Sequence, residues 1–306
     1  MKETLGMIGL GNAGSALAAA LAGALAGALS GALGGRRALI GYDANPARRA
    51  ALATLDLHWA ASVAEVGEAA DTVLLSLPKP AASRAVVAEL VACARPPGLI
   101  VETSTITPKV ARGLAEACAG VGTAFVDAAI AGGVQSMAAG RVTFLVGAEP
   151  AAFERARPVL ELFAETIHHL GPVGAGSGAK VINNGVMHAL MVVLIEAGAM
   201  AKKLGVPLST LIEILDRPDG MTRPLRHRFA ERMVNGDYGG GMSVANARKD
   251  SMLVLETAQD CGVPLFATLA AHTPYEIAEQ QGMGDLDYAA LAKLWETWCG
   301  LDFTQD

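Results

Sequence analysis

Charged residues are scarce in this sequence, since Asp, Glu, Lys and Arg make up 18% of its 306 residues, against about 25% in typical globular domains. The 24 basic residues are outnumbered by 30 acidic ones, which gives a net charge of −6 at pH 7. A general nucleic-acid binder needs a basic field, so this balance excludes that class and favours a small-molecule partner. Hydrophobic residues reach 52%, and the apolar surface that they imply indicates an oligomer, which we expect to be a homodimer or a homotetramer.

Cysteine is also rare, and the cysteines are far apart in the chain, without a C-x-x-C pair. This spacing predicts neither a zinc site nor a disulfide framework, and it fits a reducing cytoplasm. The histidines lack the H-x-x-x-H and H-E-x-x-H spacings of metal sites, so no bound metal is predicted. The cysteines are Cys93, Cys118, Cys261 and Cys299.

Residues 16–34 contain no charge, over a length at which a membrane span has to be considered. Most of them are Ala or Gly, and the few leucines give only marginal insertion energy, so the stretch predicts a soluble helix and no membrane association. Leucines and glycines each recur at every fourth position, which puts a leucine ridge and a glycine groove on roughly opposite helix faces. Two hypotheses stay open: the groove receives another helix, or the glycines merely fray an alanine-rich extension.

A glycine-rich motif closes the first strand-like segment, residues 4–10, and opens the following helix. The pattern G-x-G-x-x-G in this context is typical of a site that binds a dinucleotide pyrophosphate at a helix N-terminus. Its first glycine permits the tight turn, its second allows close approach of a phosphate, and its third allows close helix-to-strand packing. The motif residues are Gly9, Leu10, Gly11, Asn12, Ala13 and Gly14.

Asp43 follows a second strand-like segment, residues 37–42. An acid at this position accepts hydrogen bonds from the adenosine ribose and repels a 2′-phosphate, so the sequence favours NAD over NADP. NADP stays open, because Arg48 and Arg49 follow closely and either could reach a phosphate. A purely structural acid at a strand end is the other alternative.

The chain after Asp43 alternates between apolar strand-like runs and alanine-rich helical runs, which is typical of a parallel, doubly wound α/β sheet of the Rossmann type. The strand-like runs occupy residues 71–78, 98–105, 124–132, 141–148 and 166–174. Ligands bind such sheets at the carboxyl ends of the strands, so the strand ends are expected to line a cofactor cleft, although ordinary turns have the same composition. These strand-end residues are Leu77, Pro78, Ser104, Thr105, Ala131, Gly132 and Gly133.

Only helix signals occur after residue 174. The sequence therefore predicts a dinucleotide-binding domain over residues 1–174 and an all-α substrate and dimerisation domain over residues 175–306, which begins with a long interdomain helix. The predicted helices cover residues 177–204, 208–215, 224–235, 244–260, 264–281 and 288–299.

Lys180 and Asn184 stand four residues apart at the start of the long helix, and so on one helix face. Hydride transfer at a carbinol carbon needs a group that exchanges the hydroxyl proton, and a lysine whose pKa is lowered by partial burial can do so near neutrality. Asn184 would orient the lysine or the substrate hydroxyl. A surface lysine on an exposed helix face is the competing interpretation.

Five motifs together with the glycine turn resemble those of the β-hydroxyacid dehydrogenases, which include 3-hydroxyisobutyrate dehydrogenase and tartronate semialdehyde reductase and are relatives of 6-phosphogluconate dehydrogenase. The similarity is colinear over nearly the whole chain. Besides GLGNAG, the motifs are SLPKP from residue 76, TSTITP from residue 103, DAAIAGGVQSMAAGRVTFLVGA from residue 127, GAGSGAKVINN from residue 174 and RKDSMLVLETAQDCGVPL from residue 248.

The resemblance implies a role for each matching residue. Lys180 would be the proton donor and acceptor with Asn184 beside it, and the backbone N–H groups of Gly132 and Gly133 would bind a substrate carboxylate. Thr105 would lie near nicotinamide and substrate. Lys249 and Asp250 would close over the cofactor and the substrate, although by composition alone they are a helix-surface charge pair. The implied cofactor-binding residues are Gly9, Leu10, Gly11, Asn12, Ala13, Gly14, Asp43, Leu77, Pro78, Thr105 and Lys249.

Two residues depart from the family pattern: Ala131 stands where a serine usually precedes Gly-Gly, and Met242 stands about where an aromatic residue is usual. Losing the hydroxyl removes one hydrogen bond to the substrate acid, a loss of about 1.5–3 kcal/mol if that acid is charged. We hypothesise that a basic cluster compensates by reaching an acidic substrate group, against the alternative of a solvated helix face. The cluster is Arg217, Arg223, Arg226, His227 and Arg228.

The sequence thus predicts a cytoplasmic NAD- or NADP-dependent oxidoreductase that transfers a hydride between nicotinamide and a short β-hydroxy acid or its semialdehyde. Two alternatives are kept: an oxidative decarboxylase of the 6-phosphogluconate dehydrogenase type, and a non-catalytic NAD-binding regulatory module. An imine reductase is disfavoured, since those relatives generally have the lysine replaced. A small acidic substrate is the expected partner.

Overall fold

The computed structural model describes residues 4–28, 38–139, 141–218 and 220–305. The chain divides into two compact units, Met1–Gly185 and Val186–Asp306. The first is an α/β unit, as predicted, and the second is helical. The expected domain boundary after residue 174 coincides with the start of the long helix, whereas the two units divide within that helix.

The described part of the first unit is a single twisted sheet with helices on both faces, in the strand order β3-β2-β1-β4-β5-β6-β7-β8. The strands are β1 (Thr4–Ile8), β2 (Ala38–Tyr42), β3 (His58–Trp59), β4 (Thr72–Leu75), β5 (Leu99–Glu102), β6 (Ala124–Ala131), β7 (Val142–Gly147) and β8 (Ala164–His169). The helices are α1 (Asn12–Ala28), α2 (Ala47–Ala51), α3 (Val63–Ala69), α4 (Pro80–Val91), α5 (Pro108–Ala119), α6 (Val134–Ala138), α7 (Pro150–Leu160) and α8 (Ala175–Lys203).

One strand pair corrects the prediction of a parallel sheet, because β6 and β7 are antiparallel. Among the described residues of the segment between them, 132–139 and 141, the short helix α6 is the one regular element. A parallel connection needs a crossover of a dozen or more residues, so this segment is too short to return to the other edge of the sheet. The chain therefore turns back, and β8 then pairs parallel to β7.

The central strands β1, β4, β5 and β6 are buried on both faces, which explains why their sequences are continuous apolar runs. Successive residues of β5 alternate between two cores: Leu99 and Val101 belong to one cluster, and Ile100 to the other. Helices α1 and α7 cover the first face, and α3, α4 and α5 cover the second. Because β1 to β6 are mutually parallel, their carboxyl ends lie at one sheet edge, whereas those of β7 and β8 lie at the opposite edge.

The leucine ridge of α1 packs as predicted. Leu17 and Leu21 are each 1% exposed in the core under the sheet, whereas a Cβ at Gly23 would meet no atom within 4 Å. The rest of the repeat, from residue 29 onward, lies outside the described residues, so the proposed pairing of its glycine groove with another helix stays a prediction.

The second unit is helical, as predicted, with a single isolated bridge between Ser243 and Asp287 among its described residues. Two predicted helices are each divided into two pieces of different geometry. Its helices are α9 (Leu208–Leu215), α10 (Val244–Cys261), α11 (Ala267–Gln280) and α12 (Ala292–Cys299), with a π-helix at Pro224–Ala230 and 3₁₀ turns at Met233–Asn235 and Tyr288–Leu291.

Glu196 ties α8 to the N-terminus of α11. Its carboxylate accepts hydrogen bonds from the N–H groups of Phe266 (2.5 Å), Ala267 (2.9 Å) and Thr268 (3.0 Å), and from the Thr268 hydroxyl (2.7 Å). Burial alone would raise the pKa of Glu196, but these four hydrogen bonds lower it to about 2. The carboxylate thus accepts hydrogen bonds from N–H groups in the first turn of α11, which have no acceptor inside the helix.

Helix α8 is long and apolar, and by length and composition alone it could cross a membrane, a test that core helices of soluble proteins also pass. Only 11% of its most apolar window is buried within the chain. Apolar side chains that remain more than half exposed include Ile182, Val186, Met191 and Ile195. An exposed apolar surface of this kind is typical of a contact surface for another protein or a membrane.

Candidate active site

The glycine turn between β1 and α1 has the geometry that its sequence predicts. Gly9 has a φ of 88°, a left-handed conformation that favours glycine. A Cβ at Gly14 would lie 1.9 Å from the carbonyl oxygen of Gly9, so only glycine permits this close packing. Gly11 instead faces open space, with no atom within 4 Å of a Cβ built there.

A cavity of about 570 Å³ opens in front of this turn. Most of the predicted cofactor residues line it, together with Ser76 of the SLPKP motif, with Arg48, which could reach a phosphate, and with Asn45, which the prediction did not include. Leu10 does not line it, because its side chain is fully buried in the core. The predicted residues that do line it are Gly9, Gly11, Asn12, Ala13, Gly14, Asp43, Leu77 and Pro78.

Asp43 is tied to the glycine turn by its own carboxylate. One oxygen accepts the N–H of Leu10 at 2.6 Å, and the other accepts the N–H of Asn45 at 2.7 Å. A carboxylate has about four acceptor sites, so these two bonds leave room for ribose hydroxyls. The bond to Leu10 was not foreseen, since it depends on how β1 and β2 lie side by side.

A smaller cavity of about 230 Å³ adjoins the first, with Ala13, Ser76, Leu77 and Pro78 common to both. Here the carboxyl ends of β4, β5 and β6 meet Lys180 from α8. The described residues that line it include no carboxylate. Its other lining residues are Thr103, Ser104, Thr105, Ile130, Gly132, Met137 and Lys180.

Lys180 is half-buried in this cavity, and burial lowers the pKa of its ammonium group below the ordinary 10.5. Asn184 follows one turn later on α8 and is also half-buried. Neither Asn184 nor Ala131 nor Gly133 is among the cavity's lining residues, although Ala131 and Gly133 flank the lining residue Gly132, whose φ is 125°.

Lys249 and Asp250 lie in the second unit, on α10. Their side chains are exposed and form an ion pair with each other, with 2.7 Å between Lys249 Nζ and Asp250 Oδ1. This is the helix-surface charge pair that composition alone suggested, and their implied part in closing the site stays a prediction.

Hydrogen bonds join the ends of β4 and β5 at the floor of the smaller cavity. The Thr103 hydroxyl donates to the Leu75 carbonyl (2.7 Å), and the Leu77 N–H donates to Ser104 Oγ (2.7 Å). The Ser104 N–H in turn donates to Glu102 Oε1 at 2.9 Å. These bonds hold the lining loops in a defined conformation.

Two fully buried acids below the cavity, Glu102 and Asp127, were missed by sequence reasoning about the site. They face each other across β5 and β6 in the sheet register. Burial is the main cause that raises the pKa of both carboxyl groups. The available signal was an acid inside an otherwise apolar strand, which is rare unless it has a partner.

The basic cluster of the second unit lines a cavity of about 350 Å³, where Arg223, His227 and Arg228 are joined by Glu231 and Arg232. Arg228 Nε and Arg232 Nε lie 3.3 and 3.8 Å from the buried Asp287. His227 Nδ1 lies 3.0 Å from Glu231. Much of this charge is therefore balanced by neighbouring acids, and the two remaining predicted members, Arg217 and Arg226, are not lining residues.

Comparison with known proteins identifies the family. Residues 4–171 match the NAD binding domain of 6-phosphogluconate dehydrogenase, and residues 174–295 match the NAD-binding of NADP-dependent 3-hydroxyisobutyrate dehydrogenase. The chain belongs to the β-hydroxyacid dehydrogenase family. It is 32% identical to 2-(hydroxymethyl)glutarate dehydrogenase of Eubacterium barkeri over 241 residues, which are 78% of this chain and 80% of that protein.

Two solved structures are similar to this chain, one at higher sequence identity than the other. The 3-hydroxyisobutyrate dehydrogenase of Mycobacterium tuberculosis with L-serine is 30% identical, with a TM-score of 0.63 over 96% of this chain and 99% of that one. An imine reductase from a Pseudomonas species reaches a TM-score of 0.82 over 96% and 99% of the two chains. At 22% identity, this second likeness shows the fold alone.

As a β-hydroxyacid dehydrogenase, the protein is an NAD(P)-dependent oxidoreductase that acts on the CH–OH group of hydroxy acids. The first unit fits this cofactor, because the cradle at Gly9 and Gly14 leaves no space for a side chain while Gly11 opens to the larger cavity. The first N–H groups of α1 border the same cavity, where a pyrophosphate can accept their hydrogen bonds.

Proposed function

We propose that Lys180 is the general acid and base of this dehydrogenase. The observation that carries the proposal is that Lys180 lines the small cavity at the strand ends, which adjoins the nucleotide cavity through Ala13 and Leu77. Its lowered pKa supports proton exchange closer to neutral pH than an exposed lysine allows. The other lining groups are neutral, so the ammonium group is the cavity's single ionisable donor among the described residues.

Each group of lining residues has a task in the proposed mechanism. When bound, nicotinamide supplies or takes the hydride. During alcohol oxidation, Lys180 Nζ accepts the hydroxyl proton while the carbinol carbon loses its hydride, which leaves a carbonyl group. In the reverse direction Lys180 returns that proton to the oxygen. The apolar side chains of Ile130 and Met137 exclude water from the reacting carbon.

The substrate is proposed to be a short β-hydroxy acid or its semialdehyde. The names of the relatives support this, since 2-(hydroxymethyl)glutarate, 3-hydroxyisobutyrate and L-serine all carry a hydroxymethyl group next to a carboxyl-bearing carbon. We propose that the backbone at Gly132 and Gly133 binds the carboxylate, that Thr105 contacts the substrate, and that Asn184 orients the lysine or the hydroxyl group. Ala131 offers no hydroxyl group, which favours a substrate held mainly by backbone N–H groups.

NAD is proposed as the preferred cofactor. Asp43 lines the larger cavity and would repel a 2′-phosphate there, whereas Arg48 at the same rim is the group that could accept one. The ratio of kcat/KM with NAD to that with NADP measures the preference. A ratio below one would overturn this part of the proposal.

A panel of C3 to C6 hydroxy acids, keto acids and semialdehydes tests the function, with NADH fluorescence used to measure cofactor binding. Lys180→Ala is expected to lower kcat about 10²–10⁴-fold without weakening NADH binding, while the exposed Lys109→Ala serves as the matched control. NADH binding without turnover on the whole panel would favour the regulatory module. Release of carbon dioxide from a hydroxy acid would favour the oxidative decarboxylase.

We also propose that the protein is a cytoplasmic homo-oligomer, a homodimer or a homotetramer. The exposed apolar side chains of α8 support an interface with a second copy. All four cysteines are free, as in proteins of reducing compartments. Light scattering of the purified protein tests the oligomer, and a monomer at micromolar concentration would contradict it.

A further inference from the structure

We propose that Asp127, which does not line either cavity, is a positioning residue that holds the first turn of α8 and thereby sets where Lys180 Nζ lies. The inference rests on the proposed function of Lys180. It concerns contacts within the first unit only, between β6, β7 and the start of α8.

The direct contact is a hydrogen bond from the Ser177 N–H to Asp127 Oδ2, at 2.7 Å and fully buried. Ser177 is the third residue of α8, where an N–H group has no partner inside the helix. A carboxyl group at a helix N-terminus also interacts favourably with the helix dipole. Lys180 follows three residues later, so this bond anchors the turn from which its side chain extends.

Two glycines bring the same turn onto the sheet, backbone against backbone. A Cβ at Gly176 would lie 2.3 Å from the Leu145 carbonyl oxygen, and a Cβ at Gly147 would lie 2.7 Å from the Pro172 carbonyl oxygen. These contacts fix how close α8 lies to β7. They are close van der Waals contacts without a hydrogen bond, whereas the Ser177–Asp127 hydrogen bond is directional and therefore opposes rotation of the helix about its axis.

The position of Asp127 in the sheet explains how it reaches this turn. Asp127 pairs with Gly147 across the antiparallel β6–β7 pair, so the acid and the glycine that accepts the helix lie side by side. Four residues further along β6, Ala131 ends the strand next to Gly132 of the lysine cavity. Strand β6 therefore contains the residue that binds the first turn of α8, and it ends beside the cavity that Lys180 lines.

The burial of Asp127 indicates that it has a role other than packing. Its side chain is 0% exposed, as is that of its neighbour Glu102, and a buried carboxyl group is costly unless it is hydrogen-bonded. An apolar residue would fill the strand position without that cost but could not accept the Ser177 N–H. Displacements of about 1 Å in a catalytic group lower rates by about 100-fold, which makes the bond matter for turnover.

Three variants test the inference. Asp127→Ala removes the acceptor, Asp127→Asn keeps an acceptor oxygen, and Ser62→Ala removes a side-chain cap from α3 (Ser62 Oγ accepts the Glu65 N–H at 3.1 Å), away from the cavities. Asp127→Ala is expected to lower kcat at least tenfold with the Kd for NADH changed less than twofold. Asp127→Asn is expected to recover kcat to within threefold of the parent, and Ser62→Ala to leave kcat unchanged.

A second readout reports on the lysine itself. The rate at which an amine reagent modifies Lys180, followed by peptide mass spectrometry, is expected to change at least threefold in Asp127→Ala and to stay unchanged in Ser62→Ala. If Asp127→Ala does not fold, Asp127→Ser takes its place. Parent-like kcat and Lys180 reactivity in the Ala or Ser variant would overturn the inference, whereas full turnover by Lys180→Ala would overturn the proposed function instead.

Discussion

The two units differ in how far their large apolar side chains are buried. In the first, large apolar side chains fill two cores on the faces of one sheet, and Phe144 and Leu90 are 0% exposed. In the second, Phe266 is 75% exposed and Trp298 is 53% exposed, and the described cores there are small. The described apolar residues of the first unit are thus mostly buried in the sheet cores, whereas those of the second unit leave more apolar surface exposed, which supports the proposed interface with a second copy.

The first test of this comparison adds a larger side chain at a tightly packed position of the first unit. Gly14→Val places a side chain against the Gly9 carbonyl oxygen, so we expect a loss of about 3 kcal/mol or more in the free energy of unfolding and no measurable NADH binding. Chemical denaturation and fluorescence titration measure the two effects. Gly23→Ala on the open face of α1 is the control, and it should stabilise the helix by about 0.5–1 kcal/mol; parent-like binding by Gly14→Val would contradict the packing argument.

The second test is to charge the apolar surface of α8. Met187→Glu combined with Met191→Glu, on residues that are 48% and 56% exposed within the chain, should dissociate the oligomer, because burying unpaired charges in an interface costs several kcal/mol. Light scattering should then give about the 31.3 kDa of one chain. Val121→Glu, an exposed apolar position of the first unit, should leave the mass unchanged, and an intact oligomer in the double variant would place the interface elsewhere.

The third test concerns the acid that caps α11. Glu196→Ala should lower the free energy of unfolding by about 1.5–3 kcal/mol, since it removes hydrogen bonds to a charged group. The pKa of Glu196 is lowered to about 2 from 4.5 in the folded chain, so its contribution is complete above about pH 4.5 and is lost as the pH falls towards 2. Denaturation curves at pH 7 and pH 3 should show a smaller difference between parent and variant at pH 3.

The fourth test is the pH dependence of the two reaction directions. Oxidation needs neutral Lys180, so kcat should rise about tenfold per pH unit below the lysine pKa and level off above it. Reduction needs the protonated form and should decline as the pH passes the same value. Because burial lowers that pKa below 10.5, both profiles should bend below this pH; a bend at or above it would contradict a half-buried catalytic lysine.

The smallest expected effect concerns the basic cluster of the second unit. Arg223→Ala and Arg226→Ala should each lower kcat/KM for the best substrate by about threefold to tenfold if they attract its acid group. The decrease should weaken at high salt, as expected for exposed charges. Unchanged kcat/KM in both variants would show that the cluster is a solvated face.

Much of the first unit could be predicted because its signals are local. The glycine turn, the strand runs and the strand-end rule are enough to bring Leu77, Thr105 and Gly132 together, whereas Lys180 was indicated by its place at the start of the long helix and by the family resemblance. The antiparallel β7 was missed because apolar alternation does not encode strand direction. Connection length does, and the ten residues between Ala131 and Val142 were the overlooked signal.

The contacts that sequence reasoning missed join residues far apart in the chain. The Asp127–Ser177 bond spans 50 positions and the Asp43–Leu10 bond spans 33, so each depends on strand register rather than on neighbouring residues. In the second unit, the helix predicted over residues 224–235 is a π-helix at Pro224–Ala230 followed by a 3₁₀ turn at Met233–Asn235. Arg228 and Arg232, which flank the end of this π-helix, lie close to the buried Asp287 far along the chain, a contact that no local pattern encodes.

The carboxylate of Asp43 constrains any attempt to re-engineer coenzyme choice. Because one of its oxygens already accepts the Leu10 N–H, replacing Asp43 to admit a phosphorylated ribose would also loosen the glycine turn, and affinity for both coenzymes would fall together. Variation at Asn45 and Arg48, which border the same cavity, avoids this coupling. Directed evolution towards NADP should therefore begin at those two positions.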